Sequence, residues 1–402
     1  MVRSTVPAPS VVSRFEALPL EEEWGLLLGQ SVGERDYVLC AVPQLEGCDG
    51  PEDTAWAAAH ASQVARMLVG GTRVLGAYAY CAEEGAAARL ALLCAIAEAA
   101  RAELRDERAA WGLAPSEAGG GAEWLVLHVS YGARRYTCKS LGGDGAAPRP
   151  TEWKPSKEAL RFRGLRCTLP LRLRLGSSAT IDAAREAALG QLPPLAGAQA
   201  VVHGALLDRA QPISQLGSAA GAEQVVEFLC PNLGQPTATA SASGVSLLHG
   251  DVCGRVCVHD STSAAEALDL LALDVRVALL LRFEIQREAG SSAARAAPTD
   301  LLLPRRVFVH GGDADCFCDY TEAGEGAPAI ASRADELLGI AVDEGGVEQA
   351  EAAAEAGSLN AADVSVGQTG GSSTLSVANA VAAAVFAVAL IGLEAGGVID
   401  LI

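Results

Sequence analysis

The stretch from Asp53 to Cys81, DTAWAAAHASQVARMLVGGTRVLGAYAYC, constrains the fold most tightly. Its first part has the period of a helix. Trp56, Ala59, His60, Gln63, Val64, Met67 and Leu68 recur at steps of three and four, which gathers Trp56, Val64, Met67 and Leu68 near one face. Asp53 and Thr54 are suited to cap its start, and Gly70-Gly71 to end it. Thr72 to Tyr80 then has the composition of a buried strand. A helix therefore feeds directly into a strand that carries a glycine, Gly76, the mark of a bulge or a close backbone approach.

Two strands precede this unit. Trp24 to Gln30 (WGLLLGQ) and Asp36 to Val42 (DYVLCAV) flank Gly33, which supplies a turn, so they form a hairpin. The order of the first region is hairpin, helix, strand.

The chain has 402 residues and a formal net charge of −19. Its length allows two or three domains. An acidic balance argues against nucleic acid as a partner, because phosphate neutralisation needs a basic surface. The local runs Arg161-Phe162-Arg163 and Arg172 to Arg174 alternate with apolar residues, as half-exposed strands do. The 11 cysteines lack the spacing of a disulfide framework and fit reduced, mostly buried thiols of a cytosol-facing protein. The first residues carry Arg3, Arg14 and several hydroxyl residues before the first acid at Glu16. They lack the apolar core of a secretory signal, and the competing reading is an organelle transit peptide.

Further along, Glu83 to Trp111 is a long helix, and Glu123 to Ser130 with Arg134 to Ser140 a second hairpin. His128 sits in strand alternation there, as a sheet histidine. Trp153, between Pro150 and Pro155, is either an exposed docking point or a plug in the core. Leu160 to Leu175 reads as one or two strands broken at Pro170, and Ala179 to Leu192 as a helix. Val245 to His259 reads as a hairpin turning near Gly250-Asp251. Its His249, Cys253, Cys257 and His259 are metal-type donors, but Cys253, Cys257 and His259 share the every-second-residue spacing of a sheet face rather than of a zinc knuckle. Ser263 to Arg287 is an amphipathic helix, followed by the strand pair Arg305 to His310 and Ala314 to Tyr320. From Thr321 to Thr374 the composition becomes acidic and rich in Gly, Ala and Ser. This is expected to be a disordered linker, with one short helix at Ala331 to Leu338. No phosphate-cradling loop, nucleophile elbow or persuasive Cys–His pair is present.

Leu375 to Leu393 carries no charge. Its nineteen residues at ~1.5 Å each span ~28 Å, about the thickness of a hydrocarbon core. The apolar positions Leu375, Val381, Val385, Phe386, Val388, Leu390, Ile391 and Leu393 are expected to face lipid in a single tail anchor, with the body in the cytosol. The alternative is an alanine-rich helix of the globular body.

The hairpin–helix–strand order, with G-L-L-L-G in the first strand and V-L-G-A-Y in the last, resembles the MPN fold, which includes zinc proteases acting on ubiquitin-like modifiers. In the catalytic members a His-x-His pair follows the strand. By that register this chain has Ala79 and Cys81, and alanine cannot ligate zinc. Glu22 lies near the place of that family's catalytic glutamate. The resemblance implies a fold kept without its metal site. The competing class is a divergent metalloprotease that uses Glu22 with ligands from elsewhere. A third is a soluble MPN-like scaffold.

Several phrases together resemble the odorant-response-abnormal protein 4 family. They are Gly25 to Leu39, the helix phrase from Ala55 to Gly71, Val74 to Gly76, R-P-T-E-W-K from Arg149 to Lys154, L-P-R-R-V-F-V from Leu303 to Val309, C-D-Y from Cys318 to Tyr320, and the terminal apolar span. The resemblance implies a non-enzymatic membrane protein of the endoplasmic reticulum without a cofactor. It further implies a role in folding or trafficking of membrane receptors, and recruitment of the cysteine protease specific for the ubiquitin-fold modifier. Pairing of two MPN-like domains through the helix after the hairpin makes Trp56, His60, Gln63, Val64 and Met67 candidate partner contacts, with ordinary core and helix surface as the alternative for each.

The expected class is thus α+β. It has a flexible N-terminus (1–20), an MPN-like mixed sheet with packing helices (21–155), a second α+β domain (156–320), an acidic linker (321–374), a membrane helix (375–393) and a short tail (394–402).

Overall fold

The computed structural model describes residues 3–358, apart from 45–52, 84–85, 114–122, 132–133, 143–146, 177–179, 217–222, 230–244, 290–302, 312–315, 323 and 352–354. It is a mixed α+β structure. Seven strands close into a barrel: β1 (Ser4–Pro7), β2 (Glu23–Val32), β3 (Arg35–Pro43), β4 (Arg73–Cys81), β5 (Trp124–Ser130), β6 (Arg135–Leu141) and β7 (Arg149–Trp153). Their spatial order is β1-β3-β2-β4-β5-β6-β7. The helices α1 (Pro9–Ala17), α2 (Thr54–Arg66) and α3 (Ala86–Ala110) interleave with them in sequence.

The β2–β3 hairpin and the α2–β4 unit stand where the sequence puts them. Asp53 caps α2 by accepting the Trp56 N–H at 2.9 Å, and Gly33 turns the hairpin at φ +58. The register between β2 and β4 slips at Leu27/Leu28, passing over Leu75. Gly76 lies beside that slip. A Cβ there would overlap the Leu125 carbonyl oxygen of β5, so the strand glycine serves both a bulge and a close approach.

The N-terminus departs from expectation. Residues 1–20 contain β1 and α1, which belong to the barrel rather than to a flexible leader. β1 runs parallel to both β3 and β7 and closes the ring. Thr5 is fully buried, and Val11 and Phe15 of α1 join the barrel's interior cluster with Leu27, Tyr78 and Leu127. Trp153 is a plug. It stacks on Tyr136 with centroids 5.6 Å apart, inside strand β7.

The remaining elements are β8 (Phe162–Gly176), α4 (Ile181–Gln191), β9 (Gln199–Val202), β10 (Ala205–Leu206), β11 (Gln224–Leu229), β12 (Val245–His259), α5 (Ala264–Ala289), β13 (Arg305–Val309), β14 (Phe317–Thr321), α6 (Ala327–Leu338), β15 (Val347–Gln349) and β16 (Glu355–Ser358). The second sheet runs β9-β11-β8-β12-β16, and a third runs β14-β13-β15. The hairpin expected within 245–259 is absent. β12 is one strand paired with β8 from Val245↔Gly176 to His259↔Phe162, straight through Gly250 and Asp251. Pro170 does not break β8, because β11 pairs with it only at Leu165 and Arg166, leaving Pro170 clear of that ladder.

Contacts group Met1–Val202 and Leu206–Ser358 into one unit, so the boundary expected at 155/156 falls inside it. Of a second unit only the turn His203–Ala205 is described. The acidic stretch is not a linker up to Ser358. It holds α6, β15 and β16, and Ile330, Ala334 and Leu338 at four-residue spacing enter the core. Among the described residues no helix is long and apolar enough to cross a membrane. Leu375 to Leu393, with all eight expected lipid-facing positions, lies outside the described residues.

Candidate partner face and the junction beneath it

Helix α2 has two sides with different partners. Trp56 is 38% exposed, and Ala59 and Gln63 continue its solvent stripe at i+3 and i+7. Val64 and Met67 are buried at 0% and 4% in the cluster shared with Trp24, Val307, Phe317 and Leu338. His60 is buried too, and its Nε2–H donates to the Leu337 carbonyl of α6 at 2.9 Å. Burial pushes the His60 imidazole below its ordinary value, against the pull of that hydrogen bond. Of the five candidate contacts, Trp56 and Gln63 therefore face solvent, while His60, Val64 and Met67 face α6 and the core. Arg66 ends the helix and ties it to Glu107 of α3 at 2.7 Å and to Glu288 of α5 at 3.1 Å.

The connector after α2 crosses between sheets. Leu68 bridges Phe317 and Gly70 bridges Val256. The Gly70 N–H reaches both the Arg255 carbonyl at 3.0 Å and the Asp274 Oδ1 at 2.8 Å. A Cβ on Gly70 would stand 2.7 Å from Val256 and 2.8 Å from Asp274, so this glycine permits the approach; the helix stops earlier than Gly70-Gly71, at Arg66 with Met67 as its cap.

Asp274 lies at the centre of a buried ionic junction. Arg306 donates to it at 2.5 and 3.0 Å, and burial, which works against the guanidinium, is outweighed by Asp274, leaving Arg306 firmly charged. Nearby, Glu351 accepts from the Cys253 N–H at 2.7 Å, the Arg306 N–H at 2.8 Å and the Arg282 guanidinium. The Phe308 ring receives Arg255 at 4.9 Å, Arg306 at 5.4 Å and Arg166 at 5.5 Å. Nothing in the local sequence marks this cluster, since Asp274 and Arg306 are 32 positions apart and Glu351 lies 69 positions from Arg282 and 98 from Cys253.

Ala79 and Cys81, the positions where the MPN resemblance would look for zinc ligands, are fully buried. Arg89 donates to Glu22 at 2.5 Å and also hydrogen-bonds Cys81. The bond from Arg89 lowers the Glu22 carboxyl, while burial raises the Cys81 thiol. A fixed guanidinium thus occupies the side chains that a metal would have to recruit. His128 follows Leu127 into the sheet, fully covered, and burial lowers its pKa.

The other metal-type donors are engaged in packing. Cys253 accepts from the Arg166 Nε at 3.2 Å. His259 stacks on Tyr37 with centroids 4.2 Å apart and shares a hydrogen bond with Ser261 at 2.8 Å. The side chain of His249 lies outside the described residues. Among those described, no three His, Cys, Asp or Glu side chains group to hold a metal ion.

The model of the odorant response abnormal 4-like family matches residues 25–349. The chain belongs to that family. A relative named protein odr-4 homolog from Mus musculus is 26% identical over 349 residues, covering 78% of this chain and 77% of its own length. The odr-4 homolog of Homo sapiens is 29% identical over 171 residues, 39% of this chain and 37% of that one. Among solved structures, UfSP from C. elegans aligns at a TM-score of 0.40 and 8% identity, over 85% of this chain and 57% of that chain. The assignment to the ODR4-like family rests on the family model, whose span runs from within β2 through β15 and takes in α2, the Asp274–Arg306 pair and α6.

Proposed function

We propose that this chain is a non-enzymatic adaptor with an MPN-like barrel domain, anchored in the endoplasmic reticulum membrane by Leu375 to Leu393 with its body toward the cytosol. In this reading it aids folding or trafficking of membrane receptors and recruits the cysteine protease specific for the ubiquitin-fold modifier. Membership of the ODR4-like family supports it. The observation that carries it is the outer stripe of α2: an exposed Trp56 beside Gln63, on a helix held rigid by His60, Val64, Met67 and Arg66. Exposed aromatics on fixed elements are favoured anchors for protein partners. Purification of the tagged full chain from membranes, with identification of what accompanies it, tests the reading. Co-purification of the protease near one-to-one, lost on Trp56→Ala, supports it. Recovery without the protease removes that partner.

The divergent metalloprotease is the weaker alternative, because Ala79 offers no ligand atom and Arg89 holds both Glu22 and Cys81. Stoichiometric zinc in the purified chain by elemental analysis would reverse that ranking.

A further inference from the structure

The end of the barrel beside the β2–β3 turn gathers three arginines around one buried carboxylate, Asp36. Arg3 enters just before β1, Ser31 and Asp36 flank the turn, Arg73 begins β4 and Arg108 lies near the end of α3. Asp36 is fully buried and committed. It accepts from Arg3 twice, at 2.5 Å each, and from the Ser31 hydroxyl. Ser31 Oγ in turn accepts from Arg3 Nη2 at 3.2 Å and from Arg73 Nη2 at 2.7 Å.

Two guanidiniums therefore converge on one serine oxygen, and only Arg3 reaches the carboxylate directly. Arg108 adds its charge to the surroundings of Arg73. Glu107, which acts on Arg108, already takes Arg66 at 2.7 Å and the Ser62 hydroxyl at 2.9 Å. Glu34 acts on Arg3 from the exposed turn. Arg73 has no direct carboxylate partner among the described residues. Ser31, Arg3, Arg73 and Arg108 are all half-buried rather than sealed in the core.

We propose that this end of the barrel binds a small phosphate-class oxyanion, seated on the Arg73 fork beside Ser31 and within the field of Arg3 and Arg108. The chemistry fits. A guanidinium presents paired N–H donors matched to two oxygens of a phosphate, and an added dianion offsets cations that otherwise repel one another in a partly desolvated place. Burial, with Arg3 and Arg108 nearby, lowers Arg73 to about 10 against the pull of Asp36. It stays charged at neutral pH and gains from an anion. The site stands on the barrel's own geometry and does not depend on the adaptor reading.

The test uses the full chain in detergent, titrated with inorganic phosphate at ionic strength held constant with chloride, and read by calorimetry and by thermal melting. A saturable heat and a rise in melting temperature are expected. Arg73→Met should weaken phosphate binding roughly tenfold or more, the loss of one charge-assisted fork. Arg73→Lys, which keeps the charge but not the fork, should fall between and guards against a Met variant that does not fold. No saturable heat, an equal response to chloride, or wild-type affinity in both Arg73 variants overturns the proposal.

Discussion

Asp274 and Arg306 form a two-point ion pair, at 2.5 and 3.0 Å, with side chains 4% and 2% exposed. The same carboxylate accepts the N–H of Gly70 and of Arg255, each at 2.8 Å. One side chain on α5 thereby joins β13, β12 and the connector leaving α2. A buried pair of this kind is costly to assemble, but its loss from one side is costlier, because the partner charge stays in the interior.

Asp274→Ala should therefore destabilise the chain by ~3–5 kcal/mol, the usual cost of stranding a buried charge. Arg306→Met alone should do similar damage, by leaving Asp274 without its counter-ion. The two changes together should cost less than their sum, since neither charge then remains. Urea unfolding of the two single variants and the double variant measures this coupling. Strict additivity would show that the pair is not a unit.

Glu351 gives a second prediction, because it lies in the stretch whose composition resembles a linker. It is 1% exposed at the side chain and neutralises Arg282, itself 3% exposed, while also accepting two backbone N–H groups. Glu351→Ala should cost ~3–5 kcal/mol by the same reasoning. A chain ending at Ser358 should unfold like a longer one, whereas a chain ending at Thr321 should lose cooperative unfolding. Matched unfolding curves of the shortened chains decide this.

The elements written locally were legible in the sequence. The period of Trp56 to Leu68, the Gly33 turn and the amphipathic run of α5 each lie within one window. What the sequence hid depends on distant pairing. Gly250-Asp251 has the chemistry of a turn, yet β8 is an equally long partner some eighty positions earlier, and the continuous ladder from Val245 to His259 overrides the local signal. α6 was partly visible, but its Ile330–Ala334–Leu338 stripe is thin amid Ala, Gly and Glu. The inner side of α2 was legible as apolar, but not what covers it, since Leu337 meets His60 across 277 positions. Charge was the most misleading cue. Asp274, Arg282, Arg306 and Glu351 have the composition of surface and the position of core.

The buried histidines set a pH dependence. Burial holds His60 and His128 below their ordinary 6.5, so the unfolded chain takes up protons before the folded one does. Their contribution is intact above about pH 6.5 and falls away as pH drops from there toward the lowered folded values. Each contributes at most ~1.4 kcal/mol per pH unit. Stability should fall between pH 7.5 and pH 5.5, and His60→Gln, which retains a donor for the Leu337 carbonyl, should shallow that slope. Unfolding curves at four pH values measure it. A slope identical to wild type would show that His60 titrates alike in both states.

The two sides of α2 should separate function from folding. Met67 is buried among Phe317, Leu338 and the barrel's outer face, so Met67→Ala removes packed volume and should cost ~2–5 kcal/mol. Trp56 and Gln63 project from the same helix into solvent, and Trp56→Ala with Gln63→Ala should change stability by less than ~0.5 kcal/mol. If the outer stripe is the partner contact, the double variant loses the partner while its unfolding curve stays in place. Met67→Ala then weakens binding only as far as it unfolds the helix, so that lowering the temperature restores it. Pull-down and unfolding measured on the same preparations distinguish the two. Retained binding in the Trp56/Gln63 double variant would move the partner surface off α2 altogether, because His60, Val64 and Met67 have no face left to offer while α6 is in place.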